Sequence, residues 1–215
     1  MKKVILFDLD GTLVDTGPGI IHSLEYAMSK LGIPVGDPTE LHKFIGPPLS
    51  ESFQQFYGFN QEQTELGIKY YREHYRAEGM YEVEFYPGMM ELLEHLRESG
   101  KTLAVATSKP EEFAIKILER IDFAKYFSFI CGSTLDSQRT TKAEVIAYAL
   151  QKCGVTDFGS AVIVGDRKYD VIGAKKVGID SIGVLFGYGN REELEKEGAT
   201  WIAETVEEIY DILFE

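Results

Sequence analysis

Apolar positions along the chain follow two rhythms. Short runs that are apolar at nearly every position occur at residues 4–7, 102–106, 127–130 and 161–164. Runs of that length without polar alternation predict strands buried on both faces. Between them, apolar residues recur at three- and four-residue spacing. One such set is Met89, Leu92, Leu93 and Leu96, closed by Gly100; another is Phe113, Ala114, Ile117, Leu118 and Ile121, with Pro110 near its start. Both predict helices, with Pro and Gly at the ends that suit them. Strand alternating with helix predicts a parallel sheet wound by helices on both faces. Residues 181–185 and 200–203 continue the series and are expected as edge strands.

One stretch breaks the alternation. From about residue 16 to 84 there is no convincing strand pattern, only helical ones: Ile20, Leu24, Ala27 and Leu31, then residues 61 to about 78. Residues 44–86 also hold 11 of the 26 aromatics. A small helical subdomain that builds its core from aromatics accounts for this; a ligand cleft lined by some of them is a second account, and both can hold.

Composition narrows the functional classes. The 215 residues suit one domain, or one domain with an insertion. At 44% hydrophobic and 27% charged the chain reads as an ordinary globular protein. Lys plus Arg is 22 and Asp plus Glu is 35, giving a net charge of −13. That balance argues against nucleic acid or an anionic membrane surface as the main partner, but leaves room for a small anionic substrate held by a few local cations or a metal. Cys131 and Cys153 lack metal-ligand or redox spacing and read as buried thiols, which fits a reducing cytoplasm. Only four apolar residues separate Lys3 from Asp8, too few for a signal-peptide core, and no run reaches the length of a membrane span. A cytoplasmic location is therefore expected.

The first apolar run ends in Asp8-Leu9-Asp10-Gly11-Thr12. Two carboxylates at i and i+2 leave the C-terminal end of a buried strand together, at the edge where open α/β sheets bind ligands. Placing two like charges there is costly unless a cation offsets them or one keeps a proton. Gly11 then permits a sharp turn. The run at 161–164 likewise ends in Gly165-Asp166, with Asp170 four residues on. Asp166 can join Asp8 around a hard divalent cation such as Mg²⁺. For Asp170, a helix N-terminal acid is the competing account. Thr107-Ser108-Lys109 offers hydroxyls and amides suited to phosphoryl oxygens. Lys142 opens a helix, where it opposes the dipole; a nearby anion would explain it, and so would solvent. Taken together, one carboxylate can attack, a neighbour can move a proton, and a metal with Thr107 and Lys142 can neutralise a phosphoryl group.

These elements, in this order, resemble the four motifs of the haloacid-dehalogenase-like hydrolases: Asp8-x-Asp10-Gly11-Thr12, Thr107, Lys142 and Gly165-Asp166-x-x-x-Asp170. The chain is most similar to the branch of phosphoglycolate phosphatases and 5′-nucleotidases. That similarity is carried by Phe44-Ile-Gly-Pro-Pro-Leu49, Thr107-Ser-Lys-Pro110, Val164-Gly-Asp-Arg-Lys-Tyr-Asp170 and Leu185-Phe-Gly-Tyr-Gly189. The resemblance implies a Rossmann-like α/β core, residues 1–15 and 87–215, with a helical cap inserted at 16–86. It implies Asp8 as nucleophile, Asp10 as general acid and base, and Thr107 and Lys142 orienting and neutralising the phosphoryl group. It implies Mg²⁺ held by Asp8, the backbone carbonyl of Asp10 and Asp166, with Asp170 as a further ligand or supporting acid. A phosphosugar mutase of the same superfamily is the alternative within the family. Outside it stands a receiver-type phosphoacceptor domain, which lacks an inserted cap and a second acid at Asp-x-Asp.

The expected substrate is a small phosphorylated metabolite. Gly11, Thr12 and Ser108 are candidates for binding it from the core. Lys43 and Gly46, among the aromatics, are candidates from the cap. Arg139, three residues before Lys142, can meet a carboxylate or phosphate with two parallel bonds, or stand in solvent. Monomer and homodimer are both compatible with the sequence.

Overall fold

The structure, a computed structural model of the chain, describes residues 2–35, 38–135 and 138–214. The elements run β1 (Val4–Phe7), β2 (Val14–Asp15), α1 (Gly17–Leu31), α2 (Leu49–Tyr57), α3 (Gln61–Ala77), β3 (Glu84–Phe85), α4 (Met89–Glu98), β4 (Thr102–Pro110) and α5 (Glu111–Arg120). They continue with β5 (Phe129–Ser133), α6 (Lys142–Lys152), β6 (Ala161–Gly165), α7 (Lys168–Val177), β7 (Asp180–Val184), α8 (Arg191–Glu197), β8 (Trp201–Ala203) and α9 (Val206–Phe214). Short 3₁₀ turns fill several of the connections.

Six strands form one parallel sheet in the order β5-β4-β1-β6-β7-β8. Val4–Phe7 pairs with residues 102–105 on one side and 161–164 on the other. The order reverses at β1, so the loops after β1 and β6 open a crevice at the switch point of a doubly wound sheet. Val4, Leu6, Ala104 and Ile163 face Val145, Ile146 and Ala149 of α6 and Ala174 of α7. The alternate positions Ile5, Phe7, Leu103 and Val105 are buried as well. Burial on both faces is why these strands carry no polar alternation.

Two strand expectations need correction. Residues 181–185 do not form an edge: β7 lies between β6 and β8, and the three residues of β8 cover it. The run at 127–130 starts its strand two residues late, at Phe129, because a 3₁₀ turn over Ala124–Tyr126 precedes it. Phe127 packs edge-on against Phe7 instead, with ring centroids 6.2 Å apart.

The chain divides into two compact units: residues up to Val14 with those from Phe85 onward, and Asp15–Glu84. Among its described residues the smaller unit holds α1, α2, α3 and two 3₁₀ turns. Asn60 and Gln63 form a reciprocal cap at the start of α3. The aromatics do build its core. Phe44, Phe53, Phe59, Tyr71 and Tyr75 are buried, with Phe53 stacked on Phe59 at 5.4 Å and Phe44 edge-on to Phe53 at 5.3 Å. Among the described residues, no helix is long and apolar enough to cross a membrane.

Candidate active site

The residue after β1 is Asp8. Its backbone N–H donates to the Val164 carbonyl at 2.9 Å, so the sheet ladder fixes it, and its side chain is buried. Asp8 Oδ1 accepts from the Leu9 N–H at 2.7 Å. The chain then turns tightly, with the Leu9 carbonyl accepting from the N–H groups of Leu13 and Val14 at 3.0 and 3.2 Å. Gly11 makes this turn possible at φ 78°, and a Cβ there would lie 2.3 Å from Asp166 Oδ2. Gly11 therefore serves conformation and close approach at once.

Asp166 follows β6 and is fully buried. Its Oδ2 accepts from the Tyr188 N–H at 2.8 Å, and its Oδ1 accepts from the Thr12 hydroxyl at 3.3 Å. Asp170 stands in the first turn of α7 and does two things. Its Oδ2 accepts from the Arg167 N–H at 3.1 Å, as a helix-capping acid does, while its Oδ1 faces Lys142. Lys142 opens α6, whose start is capped reciprocally by Thr141 and Glu144. Its ammonium lies 2.8 Å from Asp8 Oδ2 and 2.8 Å from Asp170 Oδ1, and donates to the Ala106 carbonyl at 3.1 Å.

Asp8, Asp166 and Asp170 each offer an oxygen within 4.8 Å of the others. Three carboxylates against the single ammonium of Lys142 leave two negative charges unbalanced when all are ionised. Arg167 does not close the gap, because its guanidinium is engaged by Glu193 at 3.0 Å. Burial pushes the Asp166 carboxyl well above the usual carboxylate range, and the charges of Asp170 and Asp8 add to the effect. Burial also raises Asp170, to about 6, with Lys142 opposing and Asp8 reinforcing. For Lys142, burial favours the neutral amine, but Asp170 and Asp8 outweigh it and raise its pKa. An all-oxygen donor set with a double negative excess suits a hard divalent cation. The carboxylate of Asp10 is not in that cluster.

Asp10 is instead paired with Lys109, whose Nζ donates to Asp10 Oδ1 at 2.7 Å with both side chains largely buried. Thr107 is buried on β4 and accepts from the Lys109 N–H at 3.2 Å, while Ser108 between them is half-buried. Among the described residues Arg139 is held away from Asp8, Asp166 and Asp170 by other partners. It donates to Glu111 Oε2 at 2.7 Å and to the Gly132 carbonyl at 2.6 Å, and stacks on Tyr148 at 3.8 Å. Lys43 and Gly46 belong to the smaller unit, where Lys43 pairs with Glu40 and lies over the Phe56 ring.

Two contributors escaped the sequence reading. The Thr107-Ser108-Lys109 stretch points to hydroxyls and amides, and nothing in it announces the aim of the Lys109 ammonium. The Tyr188 N–H that fixes Asp166 is a backbone group, and no residue type announces it.

A doubly wound α/β fold with a buried acid cluster at its switch crevice is the class that these features define. The profile of the haloacid dehalogenase-like hydrolases matches residues 5–184, and the chain belongs to that family. It is an enzyme of the phosphomonoester-hydrolase kind. A 5′-nucleotidase of Pseudomonas aeruginosa is 43% identical to it over 91% of this chain and 88% of its own. The tyrosine-protein kinase PtkA of Mycobacterium tuberculosis is 36% identical over 98% and 72%. A phosphoglycolate phosphatase of Vibrio parahaemolyticus is 28% identical over 98% and 96%. Among solved structures, a predicted phosphatase from Clostridium acetobutylicum superposes with a TM-score of 0.95 at 44% identity, covering 99% of this chain and 98% of that one.

Proposed function

We propose that the protein is a Mg²⁺-dependent phosphatase that hydrolyses a small phosphomonoester through an aspartyl phosphate on Asp8. The observation that carries this reading is the buried cluster of Asp8, Asp166 and Asp170 around Lys142 at the switch crevice. Asp8, Asp166 and Asp170, with the Asp10 carbonyl, would hold the ion. When bound, it supplies positive charge that offsets the phosphoryl oxygens.

In the first step an Asp8 oxygen attacks phosphorus and the ester P–O bond breaks, while Asp10 gives its proton to the departing oxygen. In the second, Asp10 takes a proton from water, the water oxygen bonds to phosphorus, and the Asp8–phosphate bond breaks to release inorganic phosphate. Lys142 and the Thr107 hydroxyl hold the phosphoryl oxygens throughout. Residues 16–86, proposed as the cap, then select the leaving group, with Lys43 and Gly46 as candidate contacts. The free thiols Cys131 and Cys153 agree with a reducing cytoplasm, and burial pushes the Cys131 thiol up to about 12, which keeps it unreactive.

The relative named 5′-nucleotidase favours a 5′-nucleotide as substrate, with phosphoglycolate next. Phosphate release should be followed with 5′-nucleotides, phosphoglycolate, sugar phosphates and phosphotyrosine, each with Mg²⁺ and with EDTA. We expect many turnovers on a 5′-nucleotide and none in EDTA. Release that stops near one equivalent per enzyme, or full activity in excess chelator, would overturn the reading.

A further inference from the structure

Beyond the acid cluster, the buried Lys109 has no part in the mechanism above. Lys109 is mostly enclosed, and its ammonium ends 2.7 Å from Asp10 Oδ1. The chain does not reach this arrangement by regular strand geometry. Ala106 pairs with Cys131 and Pro110 with Ser133, so β4 uses four residues where β5 uses two. Such a bulge re-aims the side chains it carries. Its position is fixed from the neighbouring strand. A Cβ on Gly132 would lie 2.5 Å from the Lys109 carbonyl oxygen, so only glycine lets the bulge settle there. Glu111 then closes the back of it. Its Oε2 accepts from the Gly132 N–H at 3.1 Å and from Arg139 at 2.7 Å, while Arg139 Nε holds the Gly132 carbonyl at 2.6 Å.

We infer that Lys109 is a positioning residue for the proton transfers. Its ammonium fixes the Asp10 carboxylate through Oδ1, and the bulge latched by Gly132, Glu111 and Arg139 aims it. The inference rests on the acid and base role proposed for Asp10. Asp10 sits on a tight turn beyond the end of β1, outside the six-stranded sheet and bridged to Val14. A proton donor must meet the leaving oxygen within hydrogen-bond reach, and errors near 1 Å cost about 10²-fold in rate. Holding one carboxylate oxygen restricts where the group as a whole can point.

The test is single-turnover formation of the phosphoenzyme, with Mg²⁺, from an alkyl phosphate and from p-nitrophenyl phosphate. Alkoxide departure needs a placed proton, whereas nitrophenolate leaves with little help. Asp10→Ala should slow the alkyl ester by about 10²–10⁴-fold and the nitrophenyl ester far less. Lys109→Met should show the same selectivity at about 10–10²-fold, with Lys109→Arg recovering much of the loss. The double variant should be no slower than Asp10→Ala alone. If Asp10→Ala is selective but Lys109→Met slows both esters alike, or only raises KM, Lys109 binds substrate or supports the fold, and the inference is wrong while the Asp10 reading stands. If Asp10→Ala is itself unselective, the Asp10 reading falls and takes this one with it. Should Lys109→Met fail to fold, Lys109→Gln carries the same comparison.

Discussion

Lys109 and Lys142 both bring an ammonium onto a carboxylate of the Asp8-x-Asp10 pair, yet the two sites differ in charge balance. Lys109 meets a single, slightly accessible acid, one base to one acid. Lys142 is wholly enclosed and meets Asp8 and Asp170 beside Asp166, three acids to one base. A balanced pair can only orient its members. An unbalanced cluster retains electrostatic free energy that an added cation would release, and its acids respond by holding protons to higher pH. Local charge count thus separates a positioning site from a binding site, although both are built from the same two residue types.

The largest effect expected concerns the nucleophile. Asp8→Asn keeps the shape of the side chain and removes the attacking anion. Turnover should fall by about 10⁴-fold or more with every ester, alkyl or nitrophenyl alike. An Asn variant that loses activity only on alkyl esters would show that Asp8 is not the attacking group, and the contrast with Asp10 would collapse.

The second effect tests the charge balance itself. Lys142→Met removes the ammonium that meets Asp8 and Asp170 in a cluster of three buried carboxylates, and should destabilise the metal-free protein by about 3–5 kcal/mol at pH 8. Lys109→Met leaves one less buried carboxylate unpaired and should cost about 1–3 kcal/mol. Millimolar Mg²⁺ should recover part of the first loss and little of the second. Chemical denaturation with and without the ion measures all four values; equal losses and equal recovery would erase the distinction.

How much of this could be read from the chain depends on which physics placed each part. The sheet was legible because its strands are buried on both faces, which leaves long apolar runs with acids at their ends. Asp8, Asp166 and Asp170 were legible for the same reason, since a charge at or just beyond the end of such a run is costly to bury unless a counter-charge or a cation meets it there. Lys109 was not, because its aim depends on a two-residue slip between β4 and β5 that no periodicity records. Arg139 shows the converse. Its spacing from Lys142 suggested a site residue, but Glu111 on α5, far away in sequence, holds it to the Gly132 carbonyl. The strand at 127–130 was misplaced by two residues because Phe127 packs on Phe7 as a side chain, not as part of the ladder.

The smallest effect is the pH dependence of stability in the metal-free protein, and its sign is diagnostic. Asp170 has a folded pKa of about 6 against an ordinary value of 3.8. Below both values the carboxyl is protonated in either state and contributes no slope. Between them the folded chain keeps a proton that the unfolded chain has lost, so stability falls as pH rises through this window. Above about 6 the penalty is complete, and a shift of this size corresponds to about 3 kcal/mol. Asp166, raised by burial and by the same neighbours, extends the fall to higher pH. In EDTA, the denaturation midpoint of the wild-type protein should therefore drop between about pH 4 and 7 relative to that of Asp170→Asn, which has no such proton to lose. Parallel profiles for wild type and Asp170→Asn would mean that the cluster is not strained by its own charge, and the argument for a cation there would lose its electrostatic basis.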